Sequence, residues 1–119
     1  MELSKSSIEM ILRNNGRYVK LKSNEIEYCR AEGNYTYVKI RGQKELILIC
    51  KTLSCFESMF GSAFLRIHRS YLINIEFINC FSSQKGIVKL KSITLPISKR
   101  KTSQIIRCLL DSGIYDNSE

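Results

Sequence analysis

Phe64-Leu65-Arg66-Ile67-His68-Arg69-Ser70-Tyr71-Leu72-Ile73-Asn74 is the stretch on which the reading of this 119-residue chain turns. If it begins as a strand, alternate residues point to opposite faces, so Leu65 and Ile67 face one way while Arg66 and His68 face the other. The alternation breaks at Arg69-Ser70, which leaves basic and polar groups at a strand end. Arginine can pair bidentately with guanine O6 and N7, and histidine or serine can donate to phosphates or base edges. The plainer reading makes His68 a hydrogen-bonded structural histidine and Arg69 the partner of a nearby acid.

Working outward, the period of two continues on the N-terminal side. Tyr18–Lys22, Glu25–Ala31, Tyr35–Ile40 and Glu45–Cys50 read as strands, with turn signals at Glu32-Gly33-Asn34 and Arg41-Gly42-Gln43. Thr52 is placed to cap a helix carrying Leu53, Phe56, Met59 and Phe60 on one side, and Gly61 to end it. Downstream, Ile75–Phe81 reads as a strand, Gln84-Lys85-Gly86 as a turn, and Ile87–Leu90 with Ile93–Ile97 as a closing hairpin whose Pro96 marks an edge. Two terminal helices complete the reading. Residues 6–15 show capping-box spacing between Ser6 and Glu9, an apolar face of Ile8, Ile11 and Leu12, and a stop at Asn14-Asn15-Gly16. Ser98 suits the N-cap of a last helix from Lys99 to about Asp111, and the polar residues 116–119 read as a frayed tail. The expectation is a mainly β chain of about seven short strands, one embedded helix and terminal helices. Residues 1–16 form an N-terminal helix or linker remnant, 17–112 the domain, and 113–119 a flexible tail.

Composition narrows the function. A chain with 44% hydrophobic and 25% charged residues can bury a core of its own. The net charge is +8, and from Arg66 to Lys101 eight basic residues stand against Glu76 alone, a net of +7. Charge concentrated in this way attracts polyanions, although a solvated basic face reads equally well from charge alone. A second cluster, Ser98-Lys99-Arg100-Lys101, sits where the last helix should open, and free N–H groups at a helix start can hold a phosphate. The polar loop at Glu32-Gly33-Asn34-Tyr35 is a third group. The five cysteines have no C-x-x-C pair, so neither a disulfide framework nor a metal site is expected. One histidine and scattered carboxylates leave no catalytic pattern, so neither an enzyme nor a cofactor is expected. No signal peptide or membrane-spanning run is visible, and the expectation is a cytoplasmic protein.

Taken together, these motifs resemble a known family. Ile26-Glu27-Tyr28 with Ala31–Val38 resembles the first half of the LytTR DNA-binding domain, and Leu53–Phe60 its embedded helix. Phe64, Arg66, His68, Arg69, Ser70, Tyr71, Leu72 and Asn74 match its F-x-R-x-H-R-S-Y-L-x-N signature, and Leu95, Pro96, Ser98 and Arg100 its terminal L-P-x-S-x-R. The resemblance covers roughly residues 17–110. It implies an elongated stack of small antiparallel sheets that places inter-strand loops, not a recognition helix, into successive major grooves. It also implies promoter direct repeats as the partner, bending of the DNA, a possible homodimer on the site, and an upstream receiver domain of the two-component kind. Position by position, it implies contacts from His68, Arg69 and Ser70, from Lys99 and Arg100 with Lys101 beside them, and from Asn34 and Tyr35. Arg66 is either a further contact or a support for the loop. Three other readings stand beside this one. One is a single-stranded nucleic-acid-binding β-barrel stacking bases on Tyr35, Tyr37 and Tyr71. Another is a β-rich module docking on an acidic protein. The last is catalysis by His68 with a nearby cysteine.

Overall fold

The computed structural model describes residues 7–118. Among these residues ten strands and two α-helices follow one another: β1 (Glu9–Asn14), β2 (Arg17–Lys22), β3 (Ile26–Glu32), β4 (Tyr35–Ile40), β5 (Ile47–Ile49), α1 (Leu53–Phe60), β6 (Phe64–His68), β7 (Tyr71–Asn74), β8 (Ile78–Ser82), β9 (Ile87–Leu90), β10 (Thr94–Pro96) and α2 (Thr102–Asp111). They form a β1-β2 hairpin, a central five-stranded sheet in the order β5-β4-β3-β7-β6, and a three-stranded sheet in the order β10-β9-β8. Among the described residues every pairing between these strands is antiparallel, and one isolated parallel bridge joins Phe81 to Asp116.

The central sheet is buried on both faces, because its strands send alternate residues to opposite sides. Cys29, Val38 and Leu72 enter one core with Met10, Leu12 and Leu21 of the hairpin and Leu53, Phe56 and Phe60 of α1. Tyr28, Ile67 and Ile73 enter the other with Phe81, Val88 and Leu95 of the small sheet and Ile105 and Leu109 of α2. The embedded helix forms as its sequence suggests. Thr52 accepts the Cys55 N–H at 3.3 Å, and Gly61 closes it at φ 62°. One end of the central sheet is tied by buried Asn74. Its amide donates to the carbonyls of Ser23 (3.3 Å) and Ile26 (2.9 Å), and its oxygen accepts the Glu76 N–H.

Several expectations need correction. The N-terminal helix is absent: residues 9–14 pair with β2 from Glu9↔Lys22 to Asn14↔Arg17, while Ser6, its expected cap, lies outside the described residues. Burial alternates along β1, with Met10 and Leu12 in and Ile11 and Arg13 out. Asn15-Gly16, read as a helix stop, is a two-residue hairpin turn with φ of 53° and 82°. Positive φ at both central residues is what a type I′ turn requires, and Asn-Gly is its preferred dipeptide. β7 is a strand in its own right, and the strand expected over Ile75–Phe81 is β8, beginning at Ile78 after a 3₁₀ turn. The last helix begins at Thr102, not Lys99, and Ser98 does not cap it. The Ser98 N–H is taken by the Ile67 carbonyl at 2.7 Å, which holds Ser98 beside the sheet. The tail is docked. Phe81 N–H donates to Tyr115 C=O at 3.2 Å and Asn117 N–H to Phe81 C=O at 2.6 Å, along the edge of β8.

Candidate nucleic-acid interface

The register of the central sheet decides which turns meet. Arg30 of β3 stands opposite Tyr71 of β7, so the β3–β4 turn and the β6–β7 turn lie side by side at one sheet end. The Ala31 N–H donates to the Ser70 carbonyl at 2.9 Å and ties the two together. On the other side of the β6–β7 turn, the bond from Ser98 to Ile67 brings in the segment that leads into α2. Asn34-Tyr35, His68-Arg69-Ser70 and Ser98–Lys101, separated by up to 67 residues in sequence, thus line up along one edge. An open groove of about 1230 Å³ runs between His68-Arg69 and Ser98–Lys101, with Gln104 and Cys108 of α2 in its wall.

The first turn is built by Gly33, whose φ of 60° suits the first central position of a type II′ hairpin turn. It leaves Asn34 and Tyr35 exposed. The turn at Arg69-Ser70 is different. Two-residue hairpin turns normally need positive φ, because only then does their twist match that of the strands. Neither Arg69 nor Ser70 has a positive φ. A register shift between Arg66 and His68 takes up the mismatch, a bulge of the kind that re-aims side chains near functional sites. Side chains hold the result. The His68 ring accepts the Ser70 N–H at Nδ1 (3.0 Å) and packs on Tyr71 with ring centres 5.8 Å apart. The Arg66 guanidinium donates through Nε to His68 C=O (3.0 Å) and through Nη2 to Arg69 C=O (2.7 Å). Its Nη1 donates to Glu57 Oε1 of α1 at 2.6 Å.

The exposed cations stand apart from this network. Among the described residues, no carboxylate oxygen lies within 4.0 Å of a side-chain nitrogen of Arg69, Lys99, Arg100 or Lys101. An acid partner for Arg69 is therefore absent among the described residues. Lys99, Arg100 and Lys101 lie in the turn before α2, where Thr102 Oγ1 donates to the carbonyls of Ser98 (2.8 Å) and Lys99 (3.2 Å). Their positive charges thus precede the helix and do not load its first turn. Of the tyrosines, Tyr37 lies under the Arg30 guanidinium at 4.9 Å and Tyr71 packs on His68, while Tyr35 is open to solvent.

Sequence reasoning passed over two participants. Glu57 is legible only once α1 lies against β6. Lys51 follows β5 at the same sheet end as Tyr35, where buried Thr36 donates its hydroxyl to the Lys51 carbonyl at 2.7 Å. The signal for Lys51 was its place just before the cap Thr52.

Stacked antiparallel sheets whose turns carry exposed cations with no carboxylate partner among the described residues define a β domain with a basic edge, and such an edge attracts polyanions. The chain belongs to the LytTR family: the family model described as LytTr DNA-binding domain matches residues 16–109, and the protein is a DNA-binding domain of transcription regulation. Among solved structures it is similar to the LytTr DNA-binding domain of a putative methyl-accepting/DNA response regulator from Bacillus cereus. That likeness has 20% identity and a TM-score of 0.71, and covers 89% of this chain and 98% of the other. No curated protein sequence matches it. Among the described residues, no helix is long and apolar enough to cross a membrane.

Proposed function

We propose that the domain reads a specific double-stranded promoter site by setting its turns, not a helix, into the major groove. The observation that carries this reading is the pair of backbone bonds, Ala31 to Ser70 and Ser98 to Ile67, that gather three polar turns on one edge. In this reading Arg69 and Arg100 meet base edges. Ser70, Lys99, Lys101 and Lys51 hold phosphates, with Asn34 and Tyr35 on the flank. His68 and Arg66 are positioning residues: His68 Nδ1 and Arg66 Nε and Nη2 bond the turn itself, and Arg66 Nη1 bonds Glu57. The partner is promoter DNA bearing direct repeats, occupied by two copies of the chain, and the signal arrives from a receiver domain. If about five phosphates are neutralised, log K falls with log salt at a slope of roughly −4 to −5.

Genomic footprinting tests the reading, because it reports both the site and the repeat spacing. Quantitative binding then compares the footprinted duplex with random duplex and with single strands. Preference for single strands, or equal losses on both duplexes for Arg69→Ala and Arg100→Ala, would reject it.

A further inference from the structure

We infer that the β8–β9 turn is a further contact to the DNA backbone, with Lys85 as its phosphate ligand, and that the C-terminal segment 115–118 sets its shape. The inference rests on the proposed reading as a duplex binder and extends it to a further turn, whose supporting segment 115–118 lies beyond the family match that ends at residue 109.

Position is the first argument. The Ile97 N–H donates to the Gly86 carbonyl at 2.8 Å, and the next residue, Ser98, donates to Ile67. The β8–β9 turn, the Ser98 segment and the β6–β7 turn therefore follow one another along the same edge. Two backbone hydrogen-bond steps separate Gly86 from Ile67, about 10 Å at the spacing of neighbouring strands. A major groove is about 12 Å wide. With Arg69 and Arg100 inside the groove, a turn displaced by that distance faces its phosphate wall. Lys85 is exposed there, and among the described residues no carboxylate lies within 4.0 Å of its amine.

The second argument is where the turn's own N–H groups go. The Lys85 N–H donates to Ser82 Oγ (3.1 Å) and the Gly86 N–H to Ser82 C=O (2.8 Å). The other two leave the turn for the tail: Ser83 N–H donates to Asp116 Oδ1 (3.0 Å) and Gln84 N–H to Ser118 Oγ (3.0 Å). Ser83 Oγ and Ser118 Oγ also donate to the Asp116 carboxylate, at 2.5 and 2.7 Å. Half of the turn's donors are thus satisfied from residues more than thirty positions away, so the shape of the turn depends on the docked tail. The Asp116 carboxylate is spent on these donors, which leaves the Lys85 amine as the free charge of the turn.

The test uses the full chain and measures affinity against salt concentration on the footprinted duplex and on random duplex. Lys85→Ala should reduce the magnitude of the salt slope by about 1 on both, a roughly 3-fold change accumulated between about 50 and 200 mM salt, with the specificity ratio unchanged. The pair Asp116→Ala with Ser118→Ala should lose the same increment, and adding Lys85→Ala to it should take nothing more. A parental slope in Lys85→Ala overturns the contact. Tighter binding by the tail variant, or losses that sum in the triple variant, overturn the positioning role. Lys85→Ala removes only an exposed amine, so it decides the contact even if the tail variant folds poorly. A parent that fails to bind duplex at all sinks the underlying reading, whereas a parent that binds beside an unaltered Lys85→Ala sinks this inference alone.

Discussion

Replacing Arg66 separates charge from architecture at the β6–β7 turn. Its guanidinium makes three hydrogen bonds with the side chain 25% exposed, two of them to carbonyls of the turn and one to Glu57. Bonds from a charged donor are worth roughly 1.5–3 kcal/mol when protected. Here Glu57 is 47% exposed and freed carbonyls can rehydrate, so Arg66→Ala should cost only about 1–2 kcal/mol of stability. The larger effect falls on binding. Without the fork, residues 68–70 are free to leave a conformation that their own φ preferences do not enforce. Re-ordering a residue costs about 1–2 kcal/mol, and with the Ser70 N–H still bonded to His68 about two of the three residues must be re-ordered, so a binding loss of about 2–4 kcal/mol, on the order of 30- to 900-fold, is expected. The charge of Arg66 is already balanced by Glu57, so the salt slope should stay at the parental value. Arg66→Lys is the decisive companion. Lysine keeps the charge but not the planar fork, and should bind within about threefold of the alanine variant. Anisotropy titrations of the footprinted duplex at several salt concentrations read all of this. Parental affinity in Arg66→Lys, together with a slope reduced by about 1 in Arg66→Ala, would show that Arg66 is a phosphate ligand and refute the reasoning.

Other expectations can be checked alongside. Arg69→Ala and Arg100→Ala should each cost on the order of 1–3 kcal/mol on the specific site and much less on random duplex, measured by competition. His68→Asn can keep an acceptor near Nδ1 for the Ser70 N–H and should bind more tightly than His68→Ala or His68→Gln; equal losses in all three would remove the positioning role. Hydrogen bonds, first from the Ser83 hydroxyl and then from Ser118, hold the Asp116 carboxyl below its ordinary range. A lowered folded-state value means that the tail's docking is in place above the ordinary carboxylate range and weakens as pH falls through the folded value. The Ser83 amide resonance, followed by NMR on acidification, should report the release. Native alkylation should label Cys50, Cys55 and Cys108 and spare Cys29 and Cys80, since burial pushes the Cys29 thiol far up; mass spectrometry of the digested protein reads the pattern.

The strands from Arg17 to Ile40, the embedded helix and the closing hairpin were legible because each is specified locally, by alternation, a Thr cap and glycine turns. The N-terminal hairpin was not. Ile8, Ile11 and Leu12 fit a helical face as well as a strand, and only burial of Met10 and Leu12 under the central sheet settles the matter. The start of α2 was misplaced for a related reason: Ser98 is a fine cap by itself, but its N–H belongs to Ile67 of another element. Ser118 and Asp116 read as loose because their partners lie more than thirty residues upstream.

By itself the sequence determined the inventory: mainly β elements, a basic stretch from Arg66 to Lys101, and a signature specific enough to point to one family. Only the tertiary structure decided which of those basic groups are free. Arg66 and Arg69 are three residues apart and chemically alike, yet one is bound to two carbonyls and Glu57 while the other faces solvent. Periodicity carries the direction of a side chain along one strand. It carries nothing about the acceptors that a neighbouring helix or a distant tail brings to it, and those acceptors separate a residue that holds a turn from one whose charge is left exposed.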